Sequence, residues 1–574
     1  MRPSFYVCAM KRFGSLKAIL VSALLVAACG GPVVTTPAPV PASPTAVPLL
    51  TAIPSPVPIP AIPVARVTGL PAGTDGSPWW NDTIFYEIFV RSFYDGDGDG
   101  IGDLNGITAK LDYLKDLGVT GLWLMPIHPS PTYHGYAVTD YYAVNPQYGT
   151  MDDFKRLLAE AHKRGIRVII DFVLNRTSDQ HPWFVASRDP NSSYRNWYVW
   201  SKTNPDARRW RVAYSGFYYG YFGDDLPDLN YRSPAVTKQM EDVVRFWMKD
   251  VGVDGFRLDA AKYLIEEGTV IQNSDSTHTW YKQFRSFYKK LDPQAMAVGE
   301  VWDISPTAAS YAAGDQLDLT FDFSLAAAFL TSARVGRADE ALQVFSADYR
   351  TFKPLQFATF LSNHDQSRVI SQLAGKVEKA KVAATMLLTA PGVPFIYYGE
   401  EIGMTGIQQE GDREMRSPMQ WTTGNFAGFT TGRPWFNVHR DYARGVNVTD
   451  ESADPNSLLS YYRTLIRLRN DHAALRVGDA YLVKSNNPAV FAALRVSKEE
   501  VVLVIVNLGQ DALSDYSLSL VSGPLSGSYL AAPMLGDNPV ANPTINPQGG
   551  FDAYRPVPTL PAYSSLVIQL QSAN

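Results

Sequence analysis

The chain has 574 residues, of which 46% are hydrophobic, and a formal net charge of −5. This length is enough for two or three globular domains, and the small net charge gives no electrostatic basis for a nucleic-acid partner. Its two cysteines, Cys8 and Cys29, both lie near the amino terminus, which excludes a disulfide framework in the body of the protein.

The amino-terminal residues have the pattern of a targeting segment. Lys11, Arg12 and Lys17 lie shortly before the apolar run 18–28, which is shorter than the about 20 residues of a membrane-spanning helix. Residues 1–28 are therefore predicted to be a secretory signal peptide. The run ends in Val-Ala-Ala before Cys29. This resembles the bacterial lipoprotein cleavage box and predicts a lipid anchor on Cys29. The alternative is an ordinary signal peptide with an incidental cysteine.

A stretch rich in Pro, Ala, Val and Thr follows at 31–65. Such a composition cannot bury a core and favours extended polyproline conformation, so it predicts a semi-rigid stalk within a linker at 29–78. The signal peptide and the lipidation box at Cys29 predict an extracytoplasmic protein that is either anchored at the cell surface or secreted.

From Trp79 onward, short apolar runs alternate with segments of helical periodicity. The predicted strands lie at 83–93, 118–127, 166–175, 253–260, 295–302, 316–323, 356–365 and 393–401. The predicted helices lie at 107–118, 151–165, 233–250, 279–290, 377–390 and about 457–470. The polar and aromatic stretch at about 176–226 interrupts this alternation, which predicts a small inserted domain after the third strand.

Eight strands of this kind close most economically into a (β/α)8 TIM barrel, here predicted over 79–475. A doubly wound open sheet is the alternative, but it would need a Gly-rich phosphate loop after the first strand, and that spacing is missing. The remaining residues, 476–574, contain alternating segments separated by turns. They predict a carboxyl-terminal all-β sandwich domain.

Polar residues follow several of the predicted strands. Arg257 and Asp259 share one face of the fourth strand because strand side chains alternate. A neighbouring guanidinium keeps a carboxylate ionised, as a nucleophile requires. Asn175, Glu300 and Asp365 end three other strands. A barrel would bring all of them to one mouth.

Five stretches in the chain, DFVLN, LPDLN, GFRLDAAK, GEVWD and NHDQSR at 171–175, 226–230, 255–262, 299–303 and 363–368, resemble the recurrent motifs of the α-amylase family of glycoside hydrolases. The resemblance extends from Trp79 to the end of the chain. It implies that Asp259 is the nucleophile, Glu300 the general acid/base and Asp365 a third carboxylate that binds sugar hydroxyls. Retaining hydrolysis needs one ionised and one protonated carboxyl group, which fits Asp259 beside Arg257 and Glu300 in an apolar run.

The same resemblance predicts the residues that contact substrate. Arg257 and His364 are expected to donate to the sugar at the cleavage point, Tyr136 to stack on it with His134 nearby, and Lys262 to contact the leaving-group side. Two positions depart from the family pattern: Arg176 stands where His is common, and Ala137 stands where many relatives carry Asp. Arg176 is still expected to contact substrate, because Arg donates hydrogen bonds, although it does not titrate. Ala137 favours an open cleft that binds the middle of a glucan chain.

Asp95, Asp97, Asp99 and Asp103, with the Ile101 carbonyl, have the spacing of a calcium-binding loop, and Gly100 permits its turn. Position twelve is Gly106 rather than Glu, so the loop is not a complete EF-hand. Calcium is therefore the expected cofactor, with an acidic turn that binds no metal as the alternative. A second ion near Asn175, as in many relatives, is left open.

The expected function is a surface-anchored, monomeric, endo-acting α-amylase that hydrolyses α-1,4 bonds of starch or maltodextrins with retention. Within the same family, the alternatives are an oligo-1,6-glucosidase or neopullulanase-type hydrolase and a trehalose-synthase-like transglycosylase. A non-catalytic sugar-binding lipoprotein is the alternative from another class, although such a protein has no physical need for three carboxylates.

Overall fold

The computed structural model describes residues 73–536 and 539–573. The predicted signal peptide, the predicted lipidation site Cys29 and the Pro-rich stretch 31–65 lie outside the described residues. Among the helices within the described residues, none is long and apolar enough to cross a membrane.

Eight short parallel strands form a closed barrel in which each strand pairs with its neighbours in sequence and the first pairs with the eighth. These strands are β1 (Phe85–Ile88), β2 (Gly121–Leu124), β3 (Arg167–Phe172), β4 (Gly255–Leu258), β5 (Met296–Gly299), β6 (Leu319–Phe321), β7 (Phe357–Thr359) and β8 (Val393–Tyr397). The predicted (β/α)8 fold is confirmed. The strands are shorter than predicted, because the polar residues that follow several of them belong to loops at the barrel mouth.

The barrel interior changes from apolar to charged toward the carboxyl ends of the strands. Phe85, Trp123 and Phe395 pack with other apolar side chains in the part of the barrel farther from the carboxyl ends of the strands. Because side chains two residues apart share a face of a strand, Glu87 follows Phe85, and Asp171 follows Ile169, on the inward face. The alternation that fills the core therefore also places charged groups directly beneath the mouth.

Helices surround the barrel and connect its strands, and several begin with a polar cap. Thr150 and Asp153 form a reciprocal capping box, and Ser274 and Ser457 accept from backbone amides three residues later. The α-helices are Val90–Phe93, Leu104–Ala109, Leu111–Leu117, Met151–Lys163, Pro182–Ser187, Pro234–Arg245, Asp275–Leu291, Ser305–Tyr311, Phe323–Val335, Asp339–Thr351, Val369–Gln372, Val377–Thr389, Asp412–Met415, Val448–Ala453, Leu458–Asp471 and Ala473–Val477.

Two of these helices, Phe323–Val335 and Asp339–Thr351, lie between β6 and β7, where the sequence pattern predicted none. Phe323–Val335 is rich in alanine and buried along most of its length. A helix that is apolar on most sides lacks the single stripe by which an amphipathic helix is recognised. Periodicity therefore gave no signal for it.

A small inserted domain follows β3, as predicted. It contains the helix Pro182–Ser187 and an antiparallel sheet of three strands, Trp200–Ser201, Trp210–Ala213 and Gly216–Tyr219. A single β-bridge between Arg176 and Asp228 joins the entry and exit of the insert. The bridge fixes Arg176 at the barrel mouth, where β3 has just ended.

The carboxyl-terminal segment is all-β, as predicted, and its two sheets share a separate apolar core. A five-stranded sheet contains Asp479–Leu482, Val490–Val496, Val501–Asn507, Tyr529–Leu535 and Ser564–Ser572, and a three-stranded sheet contains Lys484–Ser485, Leu518–Leu520 and Phe551–Tyr554.

Candidate active site

The structure brings Asp259, Glu300 and Asp365 to one cleft of about 420 Å³ at the carboxyl ends of the barrel strands. Asp259 directly follows β4, Glu300 directly follows β5, and Asp365 lies in the loop after β7. The other residues that line the cleft are His134, Tyr136, Arg176, Phe222, Leu226, Ala260, Lys262, Tyr263, Trp302, Asp412 and Arg416.

Arg257 connects the carboxylates beneath the cleft. Its Nη1 donates to Asp259 Oδ1 at 2.8 Å and to Asp171 Oδ2 at 3.0 Å. Its Nη2 donates to Glu300 Oε2 at 2.8 Å. Asp259 and Glu300 therefore bind the two terminal nitrogens of one planar guanidinium, which fixes their relative position.

A second guanidinium faces Asp259 from the opposite side. Arg176 Nη1 lies 2.8 Å from Asp259 Oδ2, in an ion pair whose alignment is not that of a hydrogen bond. Burial would raise the pKa of Asp259, but Arg176 and then Arg257 outweigh it and lower the pKa below its ordinary value. The prediction that Arg257 keeps Asp259 ionised therefore describes only half of the arrangement.

Glu300 lies in the opposite electrostatic environment. Its Oε2 also accepts from the Ala260 amide at 3.0 Å, and no described residue donates to Oε1. Burial raises the pKa of Glu300, Arg257 opposes this, and the negative charges of Asp259 and Asp365 raise it further. Opposite pKa shifts in two adjacent carboxyl groups separate a nucleophile from an acid.

The backbone after Asp259 is strained at Ala260, the residue whose amide donates to Glu300. Ala260 has φ 48° and ψ 39°, a left-handed conformation that is unusual for a residue with a Cβ atom. This turn directs the Ala260 amide at Glu300. The strained turn beside Asp259 thus supplies a hydrogen bond that helps to position Glu300.

Asp365 is bound by two cationic groups. Arg416 Nη2 lies 2.8 Å from its Oδ1, and His364 Nε2 lies 3.1 Å from its Oδ2. Burial would lower the pKa of His364, but Asp365 and Glu87 raise it to about 10, so the ring is protonated at neutral pH. Although burial raises the pKa of Asp365, His364 and Arg416 hold it well below its ordinary value.

Tyr136 and His134 form the wall beside Asp365. The Tyr136 hydroxyl donates to Asp171 Oδ2 at 3.0 Å and lies 2.8 Å from His364 Nε2, and its ring stacks on those of His134 and His364. Burial and nearby Arg416 lower the pKa of His134 to about 4. His134 is therefore neutral and faces the cleft as a polar aromatic ring.

Arg257 and His364, predicted as donors to the sugar, are 1% and 0% exposed, and neither lines the cleft in this structure. Their hydrogen-bonding groups face carboxylates instead. In this arrangement Arg257 contacts Asp259 and Glu300, and His364 contacts Asp365.

Lys262 and Trp302 lie on the other side of Glu300. Lys262 Nζ donates to the Trp302 carbonyl at 2.6 Å and to Asp303 Oδ2 at 3.2 Å. The Trp302 ring stacks on Phe323 with 4.6 Å between centroids and 8° between planes, yet Trp302 is 44% exposed. One aromatic face is thus held rigidly toward the cleft.

The acidic loop after β1 brings three of its predicted ligands together. One carboxylate oxygen from each of Asp95, Asp97 and Asp99 lies within 4.8 Å of the others, which fits a cation at calcium–oxygen distances of about 2.4 Å. Backbone amides at 97–101 donate to these carboxylates and shape the loop. The donor set therefore fits calcium.

Asp103 does not join this group. It caps the helix Leu104–Ala109, and its two oxygens accept from the amides of Gly96 and Gly106 at 2.7 Å. Its carboxylate therefore acts as a helix cap and lies outside the group formed by the other three aspartates. The other predicted ligand, Ile101, donates its amide to Asp99.

The position near Asn175 has two buried oxygens without a hydrogen-bond partner, Asn175 Oδ1 and Asp228 Oδ2. Asn175 Nδ2 donates to the Tyr263 carbonyl at 2.7 Å. Within the described residues, the acidic loop alone groups three acidic, His or Cys side chains around one point. The second ion stays open.

Several residues of the site were not singled out from sequence. Arg416 lies in the irregular segment after β8, where no periodicity marks it. Glu87 did carry a signal, because a charged residue inside the apolar run of a barrel strand must find a buried partner. Trp302 also carried one, as an aromatic residue two positions after Glu300.

Comparisons with known proteins agree with this geometry. A family model described as alpha amylase, catalytic domain, matches residues 87–478. The chain is similar to Alpha-amylase 3 of Dictyoglomus thermophilum, with 40% identity over 443 residues that cover 75% of this chain and 86% of the relative. It is also similar to trehalose synthase/amylase TreS of Mycolicibacterium smegmatis, with 36% identity covering 77% and 85%, and to an oligo-1,6-glucosidase of Parageobacillus thermoglucosidasius, with 33% identity covering 75% and 91%.

The chain is also similar to solved structures of an alpha-amylase and of a trehalulose synthase. The crystal structure of an alpha-amylase from H. orenii superposes with a TM-score of 0.73 and 39% identity, over 85% of this chain and 99% of that one. The trehalulose synthase MutB from Pseudomonas mesoacidophila superposes with a TM-score of 0.72 and 28% identity, over 86% and 100%.

Proposed function

Since the chain belongs to the α-amylase family of glycoside hydrolases, we propose that it hydrolyses α-1,4-glucosidic bonds within starch and maltodextrins, as a retaining, endo-acting α-amylase. The observation that carries the chemistry is the shared guanidinium of Arg257. It holds Asp259 and Glu300 at one cleft while their surroundings shift the pKa values of the two groups in opposite directions.

In the first step, ionised Asp259 attacks the anomeric carbon while Glu300 protonates the glycosidic oxygen. Glu300 Oε2 is occupied by Arg257 and Ala260, so Oε1 is the oxygen that carries the proton. Once Asp259 is esterified, its negative charge is lost, and with it one cause of the raised pKa of Glu300. Glu300 then accepts a proton from the water that releases the sugar.

Asp365 is proposed to bind hydroxyl groups of the sugar whose bond is cleaved. Its side chain is 36% exposed toward the cleft, while Arg416 and His364 keep it ionised from behind. An ionised carboxylate accepts strong hydrogen bonds from hydroxyls and stabilises positive charge that develops on the ring.

Endo-action on a polymer is supported by the cleft and by two relatives. Trp302 extends the cleft beyond Glu300, and Ala137 leaves out a carboxylate that would grip a chain end. Alpha-amylase 3 and the H. orenii enzyme carry the corresponding name. Other relatives are named for α-1,6 bonds or trehalose synthesis, so linkage has to be tested directly.

Incubation with amylose, pullulan and maltose, followed by chromatography of early products, tests the proposal. We expect malto-oligosaccharides of mixed length from amylose before glucose accumulates. Glucose as the first product, trehalose from maltose, or preferential cleavage of α-1,6 bonds would each replace the proposal with one of the alternatives. Absence of turnover on all three would favour a sugar-binding protein.

Replacing Trp302 by Ala is expected to raise KM for maltoheptaose about tenfold, because aromatic contacts of this kind contribute about 1–1.5 kcal/mol. Hydrolysis of α-maltosyl fluoride should change little, since its leaving group has no sugar to stack. Steady-state kinetics on both substrates checks this. A matching loss on the fluoride would place Trp302 in the chemistry rather than on the leaving-group side, and Trp302→Phe serves as the conservative control.

Calcium is proposed to bind Asp95, Asp97 and Asp99 as a structural ion. Asp95 also accepts from Thr430, and its amide donates to the Phe429 carbonyl, so the ion would tie the loop after β1 to that distant segment. Chelation is therefore expected to lower the unfolding temperature by several degrees. The double variant D97N/D99N should melt at the lower temperature with or without chelator. An unchanged wild-type transition would support an acidic turn that binds no metal.

The protein is further proposed to be exported and attached to a membrane by a lipid on Cys29. The support is the signal-like run at 18–28 and the residues before Cys29. Mass spectrometry of the mature amino terminus tests this. A terminus that begins unmodified downstream of Cys29 would indicate a free secreted protein.

A further inference from the structure

Arg176 is the least satisfied cation of the site. It is 6% exposed, its Nε and Nη1 have no hydrogen-bond partner among the described residues, and its guanidinium lies 4.1 Å from the centroid of the Phe222 ring. Among the described residues, its one ion pair is the 2.8 Å contact with Asp259 Oδ2. Burying a guanidinium with two nitrogens that lack hydrogen-bond partners costs free energy, so we ask what function this placement serves.

The charges that face Asp259 supply the reason. Arg257 approaches from β4, but it also contacts Asp171 and Glu300, so one positive charge is shared among three carboxylates. The ionised Asp365 after β7 adds repulsion toward Asp259, whereas Glu300 after β5 is neutral when it is protonated. Arg176, which enters after β3, forms its ion pair with Asp259. Its charge also acts on the buried Asp228 and on the neutral His134, but neither forms an ion pair with it among the described residues.

We propose that Arg176 is a positioning residue that acts as the dedicated, non-titrating counter-ion of the nucleophile Asp259, and keeps it ionised in the free enzyme at acidic pH. This rests on the proposed glycosidase function. A histidine at this position would lose its charge near neutrality, whereas a guanidinium keeps it throughout the working range. The backbone bridge to Asp228 and the contact with Phe222 hold the cation in place.

The test uses α-maltosyl fluoride, whose leaving group needs no proton from Glu300, so that the acid limb of kcat/KM against pH reports Asp259. In Arg176→Gln, which removes the charge, we expect this limb to move up by about one pH unit. In Arg176→Lys, which keeps the charge, the limb should stay close to that of the wild type. Thermal melts of both variants confirm that they are folded at the pH values used.

A residue that only contacts sugar would behave differently. Both variants would then raise KM while the acid limb remained at the wild-type pH, and that result would overturn the inference. A limb that moves equally in both variants would also overturn it, because charge would not be the cause. If wild-type enzyme failed to hydrolyse both the fluoride and amylose, the proposed function itself would fall, so the two failures are distinguishable.

Discussion

Replacing Asp259 by Asn is expected to lower kcat on maltoheptaose by at least about 10⁴-fold, which is typical for loss of a nucleophile. The amide is nearly the same size and can still accept from Arg257, but it cannot form the glycosyl ester. Its neutral side chain also removes a negative charge that two buried guanidinium groups contact. We therefore expect some loss of stability, with the barrel still folded at assay temperature.

The control for this variant is the aspartate at the other end of β4. Asp254 precedes β4 at the opposite end of the barrel, where it accepts from the Val168 amide and pairs with His162. Asp254→Asn should lower the unfolding temperature and leave kcat near the wild-type value, because that end of the barrel serves stability. Steady-state kinetics and thermal melts of both variants make the comparison. An Asp259→Asn enzyme within tenfold of wild-type kcat would refute the assignment.

Replacing Glu300 by Gln is expected to lower kcat/KM on maltoheptaose by about 10²–10⁴-fold, the usual contribution of a general acid. The loss should be much smaller for formation of the glycosyl-enzyme from α-maltosyl fluoride, since fluoride leaves without protonation. A burst of fluoride followed by slow turnover is expected, because release of the sugar still needs Glu300 as a base.

The pH profile gives an independent signature for Glu300. The acid must be protonated, and burial raises its pKa with the help of Asp259 and Asp365, so wild-type kcat/KM should fall as pH rises through that raised pKa. Glutamine does not ionise in this range. The alkaline limb on maltoheptaose should therefore be absent in Glu300→Gln. Its persistence would assign the limb to another group.

The positions of the three carboxylates were predictable from sequence because each lies at or just after a short apolar strand, and a closed barrel brings strand ends together. The partners of these carboxylates were not. Arg416 comes from an irregular segment, and its contact with Asp365 depends on where that loop folds back. Arg176 was predicted to contact substrate. Only the tertiary structure shows that its guanidinium forms an ion pair with Asp259.

The acidic loop after β1 was also predictable only in part. Its spacing predicted that Asp95, Asp97 and Asp99 would converge, because alternating oxygens around a glycine turn leave little choice. Asp103 has the same spacing, yet the helix that begins at Leu104 uses it as a cap. The local sequence pattern could not decide whether Asp103 is a metal ligand or a helix cap, because a carboxylate at that position suits both roles.

The central claim, that Asp259 is the nucleophile of a retaining site, is tested most directly by trapping the intermediate. The protein is incubated with a ring-fluorinated α-maltosyl fluoride, digested with a protease, and its labelled peptide is sequenced by mass spectrometry. We predict one glycosyl label, on Asp259 within the stretch 255–262. A label on Glu300 or Asp365, or inactivation that leaves Asp259 unmodified, would contradict the account.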